Sequence, residues 1–119
     1  METVNLQQKF AKFSEHYKPH IIGEVNDCYV KVVKLKGEFI WHHHDHEDEL
    51  FLVVKGTLRM QFRDHESIIR EGEFVIVPRT VEHKPVADEE VHLVLIEPKS
   101  TLNTGNVTNE RTVARLDTI

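Results

Sequence analysis

Thiol chemistry has almost no place in this chain. Cys28 is the single cysteine among 119 residues, which excludes an intramolecular disulfide. It lies between Asp27 and Tyr29 with no histidine or basic side chain beside it, so it reads as a small, semi-buried thiol rather than a nucleophile. Such sparing use of cysteine fits a reducing cytosol, and a cytoplasmic location is expected. Long apolar runs are also missing: the stretches reach about five residues, against roughly 20 needed to span a bilayer. The segment Met1-Glu2-Thr3-Val4-Asn5 lacks a basic region leading into an apolar one, so no signal peptide is expected. Positive charge is scarce as well. Fifteen Lys and Arg against 20 Asp and Glu leave a net charge of −5, with no basic stripe to track phosphates. Neither nucleic acid nor a membrane is an expected partner. No internal repeat is visible, so one sheet unit is present.

What remains is an ordinary globular composition, 29% charged and 39% hydrophobic, long enough for one core. Leu6, Phe10, Phe13 and Tyr17 recur at helical spacing and predict a short amphipathic helix ending before Pro19, laid against a sheet. From Cys28 onward the period becomes two. Strands are expected at Val30–Leu35, broken by Gly37, then at Glu38–His44, Leu50–Val54, Leu58–Phe62, Ser67–Arg70, Phe74–Val77 and Val91–Ile96. Short strands separated by glycine and polar turns, with no helical crossovers, predict an all-β antiparallel sandwich or barrel. Residues 1–26 read as helix and lead-in, 27–98 as the barrel, and 99–119 as a polar tail. The tail has three readings: a swapped edge strand, a cover over the barrel, or a loose end.

The chemistry gathers in Trp41-His42-His43-His44-Asp45-His46-Glu47-Asp48-Glu49 and returns at His83. Side chains alternate along a strand, so His42 and His44 share a face and form a chelating pair, while His43 points away. Glu49 opens the next strand, and His83 follows the turn Pro78-Arg79-Thr80. Imidazole nitrogens plus one carboxylate, without thiolate, suit a borderline divalent transition metal: Mn, Fe, Ni, Co or Zn. His43 and His46 read as solvated residues, His92 as a hydrogen-bonded structural histidine, and His16, His20 and His65 as surface ones.

These residues carry a resemblance. His42, His44, Glu49 and Gly56 are spaced as the first cupin motif, and Gly72, Pro78 and His83 as most of the second. The match covers about residues 37 to 97 and implies a jelly-roll (double-stranded β-helix) barrel. It also implies a three-His, one-Glu metal centre made by His42, His44, Glu49 and His83. The closer likeness is to the cupin part of phosphomannose isomerase-like proteins. Two positions depart from the pattern: Thr80 stands where a glycine is expected, and Ala87 where an asparagine is.

With Glu49 facing a metal, Phe51 and Val53 share its face and are expected to line an apolar pocket. Arg79 is the basic group best placed to meet a substrate. Arg59 and Gln61 join the pocket if their face of the strand is the inner one; if Met60 and Phe62 line it, they lie outside. A metal-dependent enzyme acting on a small oxygen-chelating molecule, as isomerase or dioxygenase, is the first reading. A non-enzymatic metal- or ligand-binding module is the second. Leu50–Val54 is apolar on both faces, so a homodimer is expected.

Overall fold

A computed structural model describes all of residues 1–119. The elements are α1 (Leu6–Phe10), β1 (His20–Val25), β2 (Cys28–Glu38), β3 (Glu49–Lys55), β4 (Leu58–Phe62), β5 (Glu66–Ile69), β6 (Phe74–Val77) and β7 (His83–Pro98). All strand pairings between them are antiparallel, in the order β1-β2-β7-β3-β6, with β4 joined to β5 and β7. The long β7 makes the barrel possible. Its second half lies between β2 and β3, while its first half pairs with β4 through Arg59↔Val86 and Phe62↔His83. A bulge between Leu35 and Gly37 of β2, with Gly37 at φ +81°, bends β2 at the same level. One curved sheet thereby closes over its own inner face, giving the jelly roll.

Alternation decides which side chains fill it. On β3, Glu49, Phe51 and Val53 are buried while Leu50, Leu52 and Val54 are half-exposed. Val33, Leu35, Leu58, Met60, Val77, Val91, Leu93 and Leu95 complete the inner core. Leu58 and Met60 are therefore the inner residues of β4, and Arg59 and Gln61 lie on its outer face.

The N-terminal helix is shorter than its aromatic spacing suggests. Asn5 caps it by accepting from the Gln8 N–H, but the helix stops at Phe10. Beyond it the chain is tied to β2. Lys34 donates through Nζ to the Phe13 carbonyl at 2.6 Å, and its own carbonyl accepts the Tyr17 N–H at 2.8 Å. Those bonds satisfy backbone groups that a helix would have used. Phe10 and Phe13 still bury against Val32 and Val94 on the sheet's outer face, and each contributes about 2 kcal/mol by removal from water.

Other boundaries moved too. His20–Val25 is a strand rather than lead-in, and β7 starts eight residues before Val91. Residues 39–48 are not a strand, apart from an isolated bridge between His42 and His83. Gly37 bends β2 without ending it. The tail is irregular but attached, with Thr104 fully buried and Ile21 bridged to Thr118. No helix is long and apolar enough to cross a membrane.

Candidate metal centre

His42 is held by a reciprocal backbone pair with His83: His42 N–H to the His83 carbonyl at 3.1 Å, and His83 N–H to the His42 carbonyl at 2.9 Å. This pairing replaces the strand expected at residues 38–44 and still brings both imidazoles inward. Thr80 donates its N–H to the His44 carbonyl at 2.7 Å and does so at φ +72°, the left-handed conformation a glycine would take without strain. That bond fixes the backbone at the second histidine.

His42, His44, Glu49 and His83 are all buried, and their donor atoms lie within 4.8 Å of one another. The imidazole of His42 donates from Nδ1 to the Ile40 carbonyl, and that of His83 from Nδ1 to the Val81 carbonyl, each at 2.9 Å. That arrangement leaves the Nε2 lone pairs free, as metal-ligating histidines require. His44 Nε2, His83 Nε2 and Glu49 Oε1 have no hydrogen-bond partner of acceptable geometry, although His44 Nε2 approaches Glu49 Oε1 to 2.7 Å. Buried polar atoms crowded together and left unpaired are costly unless a cation satisfies them. The donor set fits a divalent metal.

Four residues not anticipated from the sequence support the centre. Glu97, on β7, lines the same cup as Glu49, and its Oε1 takes a 2.7 Å ion pair from Lys31 Nζ. Both partners are about 2% exposed. Burial and the neighbouring Glu49 carboxylate raise the Glu97 pKa against the pull of Lys31. For Glu49, burial pushes upward, but the neighbouring Glu97 carboxyl and the His44 and His83 imidazoles hold it below the usual carboxylate range. The tail supplies the other support. Asn106 pairs with His43 in both directions, accepting its N–H on Oδ1 at 2.9 Å and donating its own N–H to the His43 carbonyl at 3.0 Å. Gly105, at φ +57°, lies so close that a Cβ there would collide with the His43 carbonyl. The residue between the two candidate histidine ligands is thus clamped from outside, which sets their aim.

Above the ligands the cup is walled by Tyr17, Val33, Leu35, Phe39, Phe51, Leu93 and Leu95, with Asn103 at its side. It is narrow, mostly apolar and open to solvent. Phe51 lines it. Val53 sits deeper, fully buried in the core. Arg59 is outside, paired with Asp88 and Glu66, and Gln61 leans toward Glu66 beside it. Arg79 is exposed and faces Asp48. None of these three polar residues lines the cup. His43 pairs with Asp45 and His46 is exposed, whereas His20 is buried against Phe13 rather than on the surface. His92 bonds Glu90 and stacks on Phe10.

Burial, reinforced by His83, depresses the His42 pKa to about 4. A histidine whose folded pKa lies below its unfolded value of about 6.5 stabilises the fold fully above that value. The contribution is lost as pH falls through the folded pKa. Metal-free protein should accordingly lose roughly 3 kcal/mol between pH 7 and pH 4 through this one group. Urea denaturation across that range should show a shallower acid slope for His42→Gln; an unchanged slope would remove His42 as the cause.

A curved antiparallel barrel with a buried cluster of three imidazoles and a carboxylate beside an apolar cup defines a class of small β-barrel with a candidate metal site. The chain belongs to the cupin domain family, whose model matches residues 29–97. It is similar to a cupin-2 domain protein of Shewanella frigidimarina, with 44% identity and a TM-score of 0.81, covering 82% of this chain and 95% of that one. A Neisseria meningitidis protein of solved structure is 37% identical with a TM-score of 0.76, covering 82% of this chain and all of that one. An uncharacterised Bacillus subtilis protein, YdbB, is 35% identical over 80 residues, which are 66% of this chain. The match spans 65% of that relative's length. These likenesses support the cupin family and lend no support to the narrower comparison with phosphomannose isomerase.

Proposed function

We propose that this cupin is a metal-dependent enzyme acting on a small molecule that chelates the metal through two oxygens. The observation that carries the reading is the convergence of four lone-pair donors at the floor of an open, apolar cup. Four protein ligands leave one or two positions free on a metal preferring five or six. A bound divalent metal would supply Lewis acidity toward a carbonyl or enediol oxygen. The chain's own residues do the rest. Phe39, Phe51, Leu93 and Leu95 exclude water and admit a thin ligand. Glu97 adds a carboxyl beside Glu49 within reach of the cup, which favours a proton-moving isomerisation over oxygenation, since isomerisation needs a protein group to carry a proton.

Calorimetry with oxalate and with catechol tests the reading. Both should bind Mn- or Zn-loaded protein and neither should bind metal-free protein. Equal binding by the metal-free form would make the metal structural and place the functional site elsewhere.

We also infer that the chain works as a homodimer. The N-terminal aromatics cover only part of the sheet's outer face. Phe74, Ile76 and Ile96 remain exposed, adjoining Leu50 and Leu52 through the pairs Leu50↔Ile76, Leu52↔Phe74 and Leu50↔Ile96. β6 is also an edge strand, and a contiguous apolar patch at an edge favours a second copy. Light scattering over a range of concentrations should give twice 13.9 kDa; a 13.9 kDa species throughout would defeat the inference.

A further inference from the structure

The tail does more than clamp His43, because it also carries a cation beside the cup. Residues 103–113 close on themselves. Asn103 donates from Nδ2 to the Arg111 carbonyl at 2.8 Å and accepts the Val113 N–H on Oδ1 at 2.8 Å. Thr104 and Thr112 join their hydroxyls at 2.7 Å, and the Arg111 N–H donates to Asn109 Oδ1 at 2.9 Å. The backbone is fixed on both sides of Arg111. Its guanidinium then lies over Tyr17 and Phe39, 5.2 and 5.6 Å from the ring centroids. Those two rings stack on each other at 4.8 Å and both wall the cup.

Arg111 is exposed, and its charge is free for a ligand. Arg59, Arg63 and Arg79 are each paired with an acid; Arg111 has no carboxylate within ion-pair distance. Lys31, the nearest ammonium inside the barrel, is committed to Glu97. The guanidinium is also close to the metal ligands. Phe39 lies edge-on to His42 at 5.4 Å between ring centroids, so one aromatic ring separates Arg111 from the metal centre. A divalent metal with Glu49 as its only anionic ligand keeps net positive charge. The cup is then positive at its floor and again beside its Tyr17–Phe39 wall, with apolar rings between.

We propose that Arg111 is a specificity residue that captures a carboxylate at the far end of the ligand, while the near end chelates the metal. This rests on the chelation reading above. The guanidinium's planar fork donates two parallel hydrogen bonds to a carboxylate, which selects that group over a hydroxyl or a methyl. The ligand class is a short, unbranched acid of a few carbons with a bidentate oxygen group at one end and a carboxylate at the other. Branched or bulky acids meet Tyr17, Phe39 and Phe51.

Two stable chelators test this: the hydroxamate of valeric acid and the monohydroxamate of glutaric acid, alike except for a terminal methyl or carboxylate. Each is titrated calorimetrically into the Zn-loaded full chain, wild type and Arg111→Gln. Wild type should prefer the glutaric compound by about tenfold or more, as a charge-assisted pair allows. Arg111→Gln should lose that preference while binding the valeric compound within about twofold of wild type. If both chelators bind metal-loaded protein but wild type shows no preference, or the variant keeps it, the role of Arg111 is overturned and the chelation reading stands. Should neither compound bind the metal-loaded protein, both fall.

Discussion

Alanine at His42 and His44 together should leave the protein without its metal. Wild type, made without a histidine tag, is expected to carry about one divalent ion per chain, by the coordination logic of mixed imidazole and carboxylate sites. The double variant keeps only Glu49 and His83. Loss of a single outer partner that orients a ligand costs about 10- to 100-fold in metal affinity, so loss of two ligands should exceed that range. The fold should survive. His42 and His44 lie on an irregular segment outside the strands, and the His42–His83 contact is made by backbone groups that alanine retains. Removing an imidazole that burial holds neutral also relieves part of the acid sensitivity of the metal-free state. Elemental analysis of both proteins, with circular dichroism to confirm the fold, decides the matter. Equal metal content would end the assignment of these four residues.

The candidate ligands were legible because their information is local. His42, His44, Glu49 and Gly56 carry their spacing in one short stretch, β4 runs as its alternation indicates, Leu58–Phe62, and β6 is the apolar run stopped by Pro78, Phe74–Val77. Elements with conflicting local signals were not. β1 holds the pair Ile21-Ile22 and a glycine, so no period of two appears. The first half of β7 contains Pro85 and the acidic run Asp88-Glu89-Glu90, which reads as a loop, yet pairing with β2 and β4 overrides it. The aromatic stripe from Leu6 to Tyr17 buried as expected, but Lys34 bonded its backbone and left only five residues helical.

The supports of the site were harder to see. Lys31 shares strand parity with Val33 and Leu35, and Glu97 with Leu93 and Leu95, so both charges occupied inward positions on alternation alone. A lone charge in a strand is usually solvated, and only the pairing of β2 with β7 shows that each charge is the other's buried partner. Asn106 and Gly105 gave no signal. Their partner His43 is some 60 residues away, and the contact is with its backbone, which any residue at that position would offer.

That buried pair yields the other large effect. Lys31→Met should destabilise metal-free protein by about 3–5 kcal/mol, because it leaves Glu97 inside the barrel without its counter-charge. Such a loss is a large share of the roughly 5–15 kcal/mol that holds a domain of this kind folded. Methionine nearly matches the lysine stem in length and remains apolar, so packing at this fully buried position is close to conserved. The charge is what changes. Adding Glu97→Gln should therefore recover most of the loss, since the neutral amide needs no ammonium beside it and can donate to the Glu49 carboxylate. Acidification should also help the single variant. The Glu97 pKa is already raised by burial and by Glu49, and a group raised in the folded state stabilises most below its unfolded value and least above its folded one. Urea denaturation of wild type, Lys31→Met and the double variant at pH 7 and pH 5 gives the full comparison. If the double variant at pH 7 is as unstable as the single, the loss comes from the lysine stem's packing rather than from an unpaired carboxylate. Glu97 would then lose its standing as the charged wall of the cup.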